Sequence, residues 1–251
     1  MITLLNPARA TEADRWPRDW QVAGLIAAHD EAAHIYEVVR GGREHLSRWL
    51  VVADGCGDDT AKRARSAGAE VLELPRRLGK ASALTRGWNY LLRDRTVEAV
   101  LMLDGDGQHA PDDIPKFLQA WRNGQEHLLV GARDLSSSTM PWPRRWTNRL
   151  MSQIIREMTK SPCADTQCGF RVASRAFLSS REWHSTHFEM ETEMILHAGA
   201  GKWAVKDIPV QTIYQGSGSH IRVLPDLMRW LRLLVRGPKQ RKTKSGKCAI
   251  A

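Results

Sequence analysis

The apolar run Leu101-Met102-Leu103 stops abruptly at Asp104-Gly105-Asp106-Gly107-Gln108-His109. Two carboxylates one residue apart, followed by an amide oxygen, are hard donors of the kind that Mg2+ or Mn2+ takes. At the carboxyl end of a strand in an open α/β sheet such a group stands where ligands collect, and glycines at 105 and 107 let the backbone come close to one. A metal held by Asp104, Asp106 and Gln108 could neutralise a diphosphate and stabilise it as it leaves, a Lewis-acid role that needs no protein nucleophile. Two other readings of the same residues stand beside this one. Asp-Gly pairs also make turns with solvated acids. A calcium loop would place Asp104, Asp106 and Gln108 at its first, third and fifth positions, but His109 and Pro115 fall at the sixth and twelfth, where that loop needs Gly and Glu.

The elements that must position these residues follow from periodicity. Strands are expected at Val22 to His29, up to Gly55, Glu70 to Leu74, Ala99 to Asp106 and His127 to Arg133. Between them lie helical segments: Asp30 to about Trp49, Asp58 to Gly68, Gly79 to Asp94, and one opened by Pro111 and stopped by Gly124. Strand and helix alternate, which predicts an α/β fold with a mostly parallel sheet covered on both faces. After a Ser/Pro-rich stretch from Leu135 come a helix up to Thr159, strand GFRVASRAFL, helix EMETEMILHAGAG and strand WAVKDIPVQTIY. Gly216 to Ser219 form a joint before a last helix, Leu224 to Arg236. The chain divides into an N-terminal extension (1–21), one catalytic-sized domain (22–222), and an amphipathic helix with a basic tail (223–251).

With 251 residues, 42% of them apolar, the chain can bury a sizeable core, which excludes a wholly disordered or low-complexity protein. The four cysteines form no paired C-x-x-C knuckles, so neither a zinc framework nor a disulfide scaffold is indicated. Eight Lys and Arg, with no acid, follow Leu227, and they account for most of the net charge of +9. A protein gripping nucleic acid over its whole surface would spread that charge across the folded body, so no nucleic-acid partner is expected. No run approaches the roughly 18 apolar residues needed to cross a bilayer, and the expectation is a cytoplasmic protein.

The acidic segment and six further motifs in order, over residues 22 to 224, carry a family resemblance. LDGDGQHAPDDI resembles the metal-binding segment of glycosyltransferase family 2, in its dolichol-phosphate mannosyltransferase-like, polyprenyl-phosphate branch. AAHDE at 27–31, VVADGCGDDT at 51–60, RRLGKASAL, VGAR at 130–133, DTQCGFR at 165–171 and IPVQTIYQGSGSHIR resemble further marks of that family in their expected order. The resemblance implies the Rossmann-like GT-A fold, a GDP- or UDP-linked sugar donor, and a divalent metal at Asp104, Asp106 and Gln108. It gives Glu31 and Asp54 contacts to the nucleoside. Lys80, Arg133, Arg171 and, in the closing loop, Arg222 fall near the donor phosphates, and Gly105 joins the donor-binding set. Asp106 and Asp165 are the catalytic candidates, Asp165 as the group that orients or deprotonates an acceptor. A lipid phosphate acceptor needs no strong base, whereas a hydroxyl would need Asp165 or another carboxylate. Glu191 and Glu193 are weaker candidates, two apart on a helix and so unable to share a face.

Departures from the family pattern cluster where the base pocket is implied. Ala53 stands in place of the first Asp, Cys56 in place of Ser, His29-Asp30 in place of Tyr-Asn, and Ala81 in place of the second Gly of G-K-G, putting a methyl group beside the donor. Met140, Trp142 and Trp146 interleave with Arg144, Arg145 and Arg149, and MRWLRLLVR follows the same logic, so both segments suit a lipid interface. The partners expected are thus a nucleotide sugar, a lipid acceptor and a membrane surface, reached through the basic C-terminal segment. A dehydrogenase lacks its signal here, because no G-x-G-x-x-G turn follows the first strand.

Overall fold

The computed structural model describes residues 21–133, 142–187 and 189–211, together with positions 213, 230, 233 and 234. Seven strands form one sheet: β1 (Val22–Ala28), β2 (Trp49–Asp54), β3 (Glu70–Leu74), β4 (Ala99–Asp104), β5 (Leu128–Arg133), β6 (Arg171–Ser174) and β7 (Val205–Val210). Their order is β3-β2-β1-β4-β6-β5-β7, and every pairing is parallel except those of β6. The helices are α1 (Ile35–Arg43), α2 (Thr60–Ser66), α3 (Lys80–Leu91), α4 (Ile114–Asn123), α5 (Trp142–Thr159), α6 (Arg175–Ser179) and α7 (Met190–Gly201). The mostly parallel α/β architecture is the expected one. GFRVASRAFL, however, is strand only to Ser174, where the Ser174 hydroxyl accepts from the Phe177 amide and caps α6.

Sequence texture explains strand position. β2 is buried along its whole length and β1 nearly so, as parallel strands covered on both faces must be. The edge strands β3 and β7 are the less buried ones, with Glu70, Glu73, Lys206 and Pro209 exposed, and β7 accommodates Pro209, which a central strand would not. Trp49 fills a slot left by two glycines: a Cβ at Gly24 or Gly42 would lie 2.4 Å from its ring. That slot locks α1 onto the sheet beneath the site.

The topology decides where chemistry can occur. From β1 the chain steps outward to β2 and β3, then returns to place β4 on the other side of β1, so the switch point of the sheet lies between β1 and β4. Ala27 pairs with Asp104, and Ala28 pairs with Ala53, one residue before Asp54. The loops after β1, β2 and β4 therefore leave the same edge. Antiparallel β6 enters the sheet at that edge with Arg171 opposite Met102 and Val130, which brings the DTQCGFR loop to the carboxyl ends of β4 and β5.

Candidate functional site

Asp104 ends β4 with its carboxylate about a quarter exposed. Its Oδ1 lies 2.7 Å from Lys80 Nζ, and Lys80 reaches Glu191 Oε1 at the same 2.7 Å. His109 Nε2 stands 3.7 Å from Asp104 Oδ2. On the other side Gly169 lies so close that a Cβ there would sit 2.5 Å from Asp104 Oδ2, so the DTQCGFR loop packs directly on the first acid of the D-x-D motif. Burial works against charge on both Asp104 and Lys80. Their attraction outweighs it: Lys80, with help from His109, holds the Asp104 carboxyl well below the usual carboxylate range, and Asp104 with Glu191 holds the Lys80 ammonium above its ordinary value.

Asp106 lacks such compensation. Burial, then the neighbouring Asp104, raise its carboxyl above the ordinary value, although its Oδ1 accepts the Gln108 amide at 3.0 Å. Gly107, at φ +72°, supplies the left-handed bend of that turn. Glu31 is pushed up to about 7 by burial, and then by Asp106, Asp104, Asp58 and Asp30. Carboxylates that oppose one another's ionisation are short of positive charge, and their all-oxygen chemistry suits a hard divalent cation. The carboxylates of Asp104 and Asp106 thus have the donor chemistry of a hard divalent cation site. Gly105 is buried, its missing Cβ facing Ile26, Ala28 and Ile35, so any donor contact there is a backbone contact.

Asp54 is buried, and its two oxygens accept the amides of Leu78 at 2.7 Å and Gly79 at 2.8 Å. It thereby builds the turn that delivers Lys80. Gly79 has φ +96°, and a Cβ there would meet the Thr186 carbonyl at 2.3 Å, so no other residue fits. The Ala81 methyl is fully buried in the core rather than beside a donor, which corrects the concern raised by that departure.

Two basic positions are placed differently from expectation. Arg171 is 1% exposed and donates Nε to the Cys168 carbonyl, Nη1 to that of Glu191 and Nη2 to that of Thr166, each at 2.8 Å. Its guanidinium ties the 165–170 loop to the start of α7 and does not face a donor phosphate. Arg133 clamps Asp165 with Nε–Oδ2 at 2.6 Å and Nη2–Oδ1 at 3.1 Å, and Asp165 Oδ1 also accepts the Gln167 amide at 3.2 Å. Asp165, expected to orient or deprotonate an acceptor, is 1% exposed, a buried carboxylate held by Arg133. Arg222 lies outside the described residues.

Sequence reasoning underweighted Glu191. The two glutamates of α7 do point apart: Glu193 takes the Ser185 amide at 2.9 Å and Arg181 at 3.0 Å, while Glu191 enters the site through Lys80. The available signal was composition, since two glutamates inside an otherwise apolar helix must find cations or amides.

Three described residues fall in the segment expected as an amphipathic C-terminal helix. Trp230 is buried, and its indole N–H donates to Thr192 Oγ1 at 3.1 Å; Leu233 and Leu234 are partly buried against the same core. These three residues face the protein. Among the described residues no helix is long and apolar enough to cross a membrane.

Comparison with known proteins agrees with this architecture. Residues 25–181 match the profile of Glycosyl transferase family 2. The chain is 29% identical over 215 residues to the low-salt glycan biosynthesis hexosyltransferase Agl6 of Haloferax volcanii, covering 82% of this chain and 50% of that protein. It is 30% identical over 122 residues to the UDP-N-acetylglucosamine–dolichyl-phosphate N-acetylglucosaminyltransferase of Methanococcus voltae, covering 47% of this chain and 49% of that one. The chain thus spans about half the length of these curated relatives. Glucosyl-3-phosphoglycerate synthase from Mycobacterium tuberculosis, solved with Mn2+, UDP and glucosyl-3-phosphoglycerate, superposes with a TM-score of 0.67 at 19% identity, over 92% of this chain and 85% of that one, and so shares its fold. The profile match extends from the first strand through the acidic cluster to the 165–171 loop, and the chain belongs to glycosyl transferase family 2.

Proposed function

We propose that the chain is an inverting, metal-dependent glycosyltransferase that moves a sugar from a UDP- or GDP-linked donor to a membrane lipid, a polyprenyl phosphate. Asp104, Asp106 and Gln108 would hold Mg2+ or Mn2+, which supplies Lewis-acid neutralisation of the donor diphosphate. Lys80 keeps Asp104 ionised and correctly aimed, Asp54 holds the turn carrying Lys80, and Arg171 fixes the loop and helix on the far side.

One observation carries the choice of acceptor: the Arg133 clamp on Asp165. A hydroxyl acceptor must lose a proton as it attacks, and the Asp165 carboxylate, 1% exposed with both oxygens on Arg133, is not open to a hydroxyl. An ionised phosphate oxygen carries no proton to remove. It can form the new bond to the anomeric carbon while the bond from that carbon to the nucleotide diphosphate breaks, so catalysis rests on positioning and charge. The polyprenyl-phosphate acceptor is also consistent with the dolichyl-phosphate relative.

A peripheral site on the cytoplasmic face of a membrane belongs to the same proposal. Helix α5 exposes Trp146, Leu150 and Met158 on one face, with Arg149 also exposed. The basic residues after 236 lie outside the described residues and would add attraction to anionic headgroups.

The test is release of nucleoside diphosphate from a panel of UDP- and GDP-sugars with Mn2+, with and without undecaprenyl or dolichyl phosphate in vesicles. The expected result is release that requires the lipid phosphate. Equal turnover with a lipid alcohol would move the assignment to a hydroxyl acceptor.

A further inference from the structure

The loops after β1 and β2 bring together three donors that the D-x-D site does not use. His29, Asp30 and Cys56 each place a ligand atom within 4.8 Å of the other two. We propose that these residues form a second metal site, for a borderline or thiophilic divalent cation such as Zn2+, distinct from the oxygen site at Asp104 and Asp106.

The imidazole is oriented for ligation. His29 Nδ1 lies 2.8 Å from the Asp54 carbonyl, which can only accept, so Nδ1 carries the hydrogen and the lone pair of the neutral ring is on Nε2. This is the arrangement in which a backbone carbonyl fixes the tautomer of a metal-binding histidine. Nε2 faces Asp30 Oδ2 at 3.5 Å. The other oxygen of that carboxylate, Oδ1, accepts the Gly57 amide at 2.7 Å, which leaves Oδ2 turned toward the ring. Asp30 adopts φ +55°, a left-handed conformation uncommon for a residue other than glycine, and this bend turns its carboxylate back over the loop that holds Cys56. Cys56 is half-buried, its thiol 3.5 Å from the Ala28 carbonyl at the end of β1.

Tetrahedral ligation at about 2.0–2.3 Å brings donor atoms about 3.3–3.8 Å apart. The His29–Asp30 pair is already at that spacing, and Cys56 closes the set by about 1 Å. A nitrogen, an oxygen and a sulfur together select Zn2+ or Co2+ over the Mg2+ or Mn2+ suited to the neighbouring acids. Three protein ligands leave a fourth position for water or a ligand. Ligation expels the Cys56 thiol proton to solvent, so affinity rises with pH. All three residues are also points at which this chain departs from the family pattern, so the donor set is a property of this sequence. A bound ion would tie the β1 loop, which continues into Glu31, to the β2 loop, which continues into Asp58.

The experiment uses the full chain, stripped of metal by a chelator and titrated with Co2+. The expected result is a thiolate-to-cobalt charge-transfer band in the near ultraviolet that saturates at one ion per chain and disappears on addition of Zn2+. Cys56→Ser should abolish the band, and His29→Gln should weaken cobalt binding on the order of tenfold or more. Cys248→Ser and the double change Asp104→Asn, Asp106→Asn should leave the band in place. Absence of a band in the folded wild type, its survival in Cys56→Ser, or its loss in Cys248→Ser would overturn the assignment. X-ray absorption of the zinc-loaded wild type gives an answer independent of any variant's folding. One sulfur at about 2.3 Å among nitrogen and oxygen ligands supports the site, and a shell without sulfur refutes it.

Discussion

Lys80→Met removes the cation between two carboxylates while keeping a long side chain in the space. In the wild type Nζ lies 2.7 Å from both Asp104 and Glu191, with the lysine side chain 17% exposed and that of Glu191 7% exposed. Breaking a buried ion pair by deleting one partner costs about 3–5 kcal/mol. Asp104 is a quarter exposed, and water relieves part of that, so the expected loss is about 2–3 kcal/mol, or roughly 4–12 °C in melting temperature for a chain of this size. The sign with pH follows from the shifts. The depressed Asp104 carboxyl contributes stability that is present above its unfolded value near 4 and lost as pH falls through its folded value. The raised Lys80 ammonium contributes stability that is present below its unfolded value near 10.4 and lost as pH climbs through its still higher folded value. Between about pH 5 and pH 10 both contributions are complete, so the gap between variant and wild type should be widest there and should narrow in acid. Thermal melts from pH 3 to pH 9, with and without Mn2+, measure it. Since a divalent ion can replace the missing charge, Mn2+ should raise the variant's melting temperature more than the wild type's. A variant that melts within about 1 °C of wild type at pH 7 would show that Lys80 does not hold the acids together.

The remaining predictions concern the acids and their supports. Asp104→Asn and Asp106→Asn should each lower kcat/KM for nucleotide release on the order of 10²–10³-fold, the equivalent of several kcal/mol of lost charge stabilisation, measured by steady-state kinetics at saturating Mn2+. Glu31 is raised to about 7, so the metal-free protein gains stability from its neutral form below about pH 4.5 and loses that gain as pH rises through 7. Glu31→Gln should therefore melt higher than wild type at pH 8 without metal and match it near pH 4, and equal melting at both would refute the crowding of acids. Asp165→Asn should cost only about tenfold in kcat with a lipid phosphate and leave the pH–rate profile unchanged. A loss of about 10²–10⁴-fold with a lost basic limb would restore the general-base role. Arg171→Met removes the side-chain donor from the loop carbonyls of Thr166 and Cys168 and unties that loop from the Glu191 carbonyl of α7, and should cost about 2–3 kcal/mol in urea unfolding.

The sheet was legible because burial leaves a periodic trace. A short continuous apolar run with β-branched residues, such as WLVVA before Asp-Gly, suits an inner strand of a covered sheet, and β2 is one. The reversed direction of β6 was not legible. Its residues read RVAS, too short to carry a period, and its direction is set by the tertiary link from α5 rather than by local preference. Element ends were also overdrawn, as with the helix expected from Asp30, which begins at Ile35 because residues 29–31 are bent by the positive φ of Asp30 and tied to Gly57 and Thr60.

At the site, sequence spacing anticipated where Asp104 stands better than where the arginines point, and the reason is geometric. A carboxylate at the end of a parallel strand is placed by the sheet itself, because the register fixes the edge at which Asp104 emerges. An arginine has a long stem, and its fork can reach carbonyls, carboxylates or phosphates with equal chemical ease. Arg133 ends β5 and Arg171 begins the adjacent strand β6, yet one closes on a carboxylate and the other on three carbonyls, a distinction made by the turn at 165–170 rather than by either residue's place in sequence. The same argument explains Glu191, whose partner Lys80 is 111 positions away and is delivered by a turn that Asp54 builds with both carboxylate oxygens. Motifs that look independent along the chain are therefore joined mechanically. A change at Asp54 should disturb Lys80, hence Asp104, and thus the acids, without touching any of them directly.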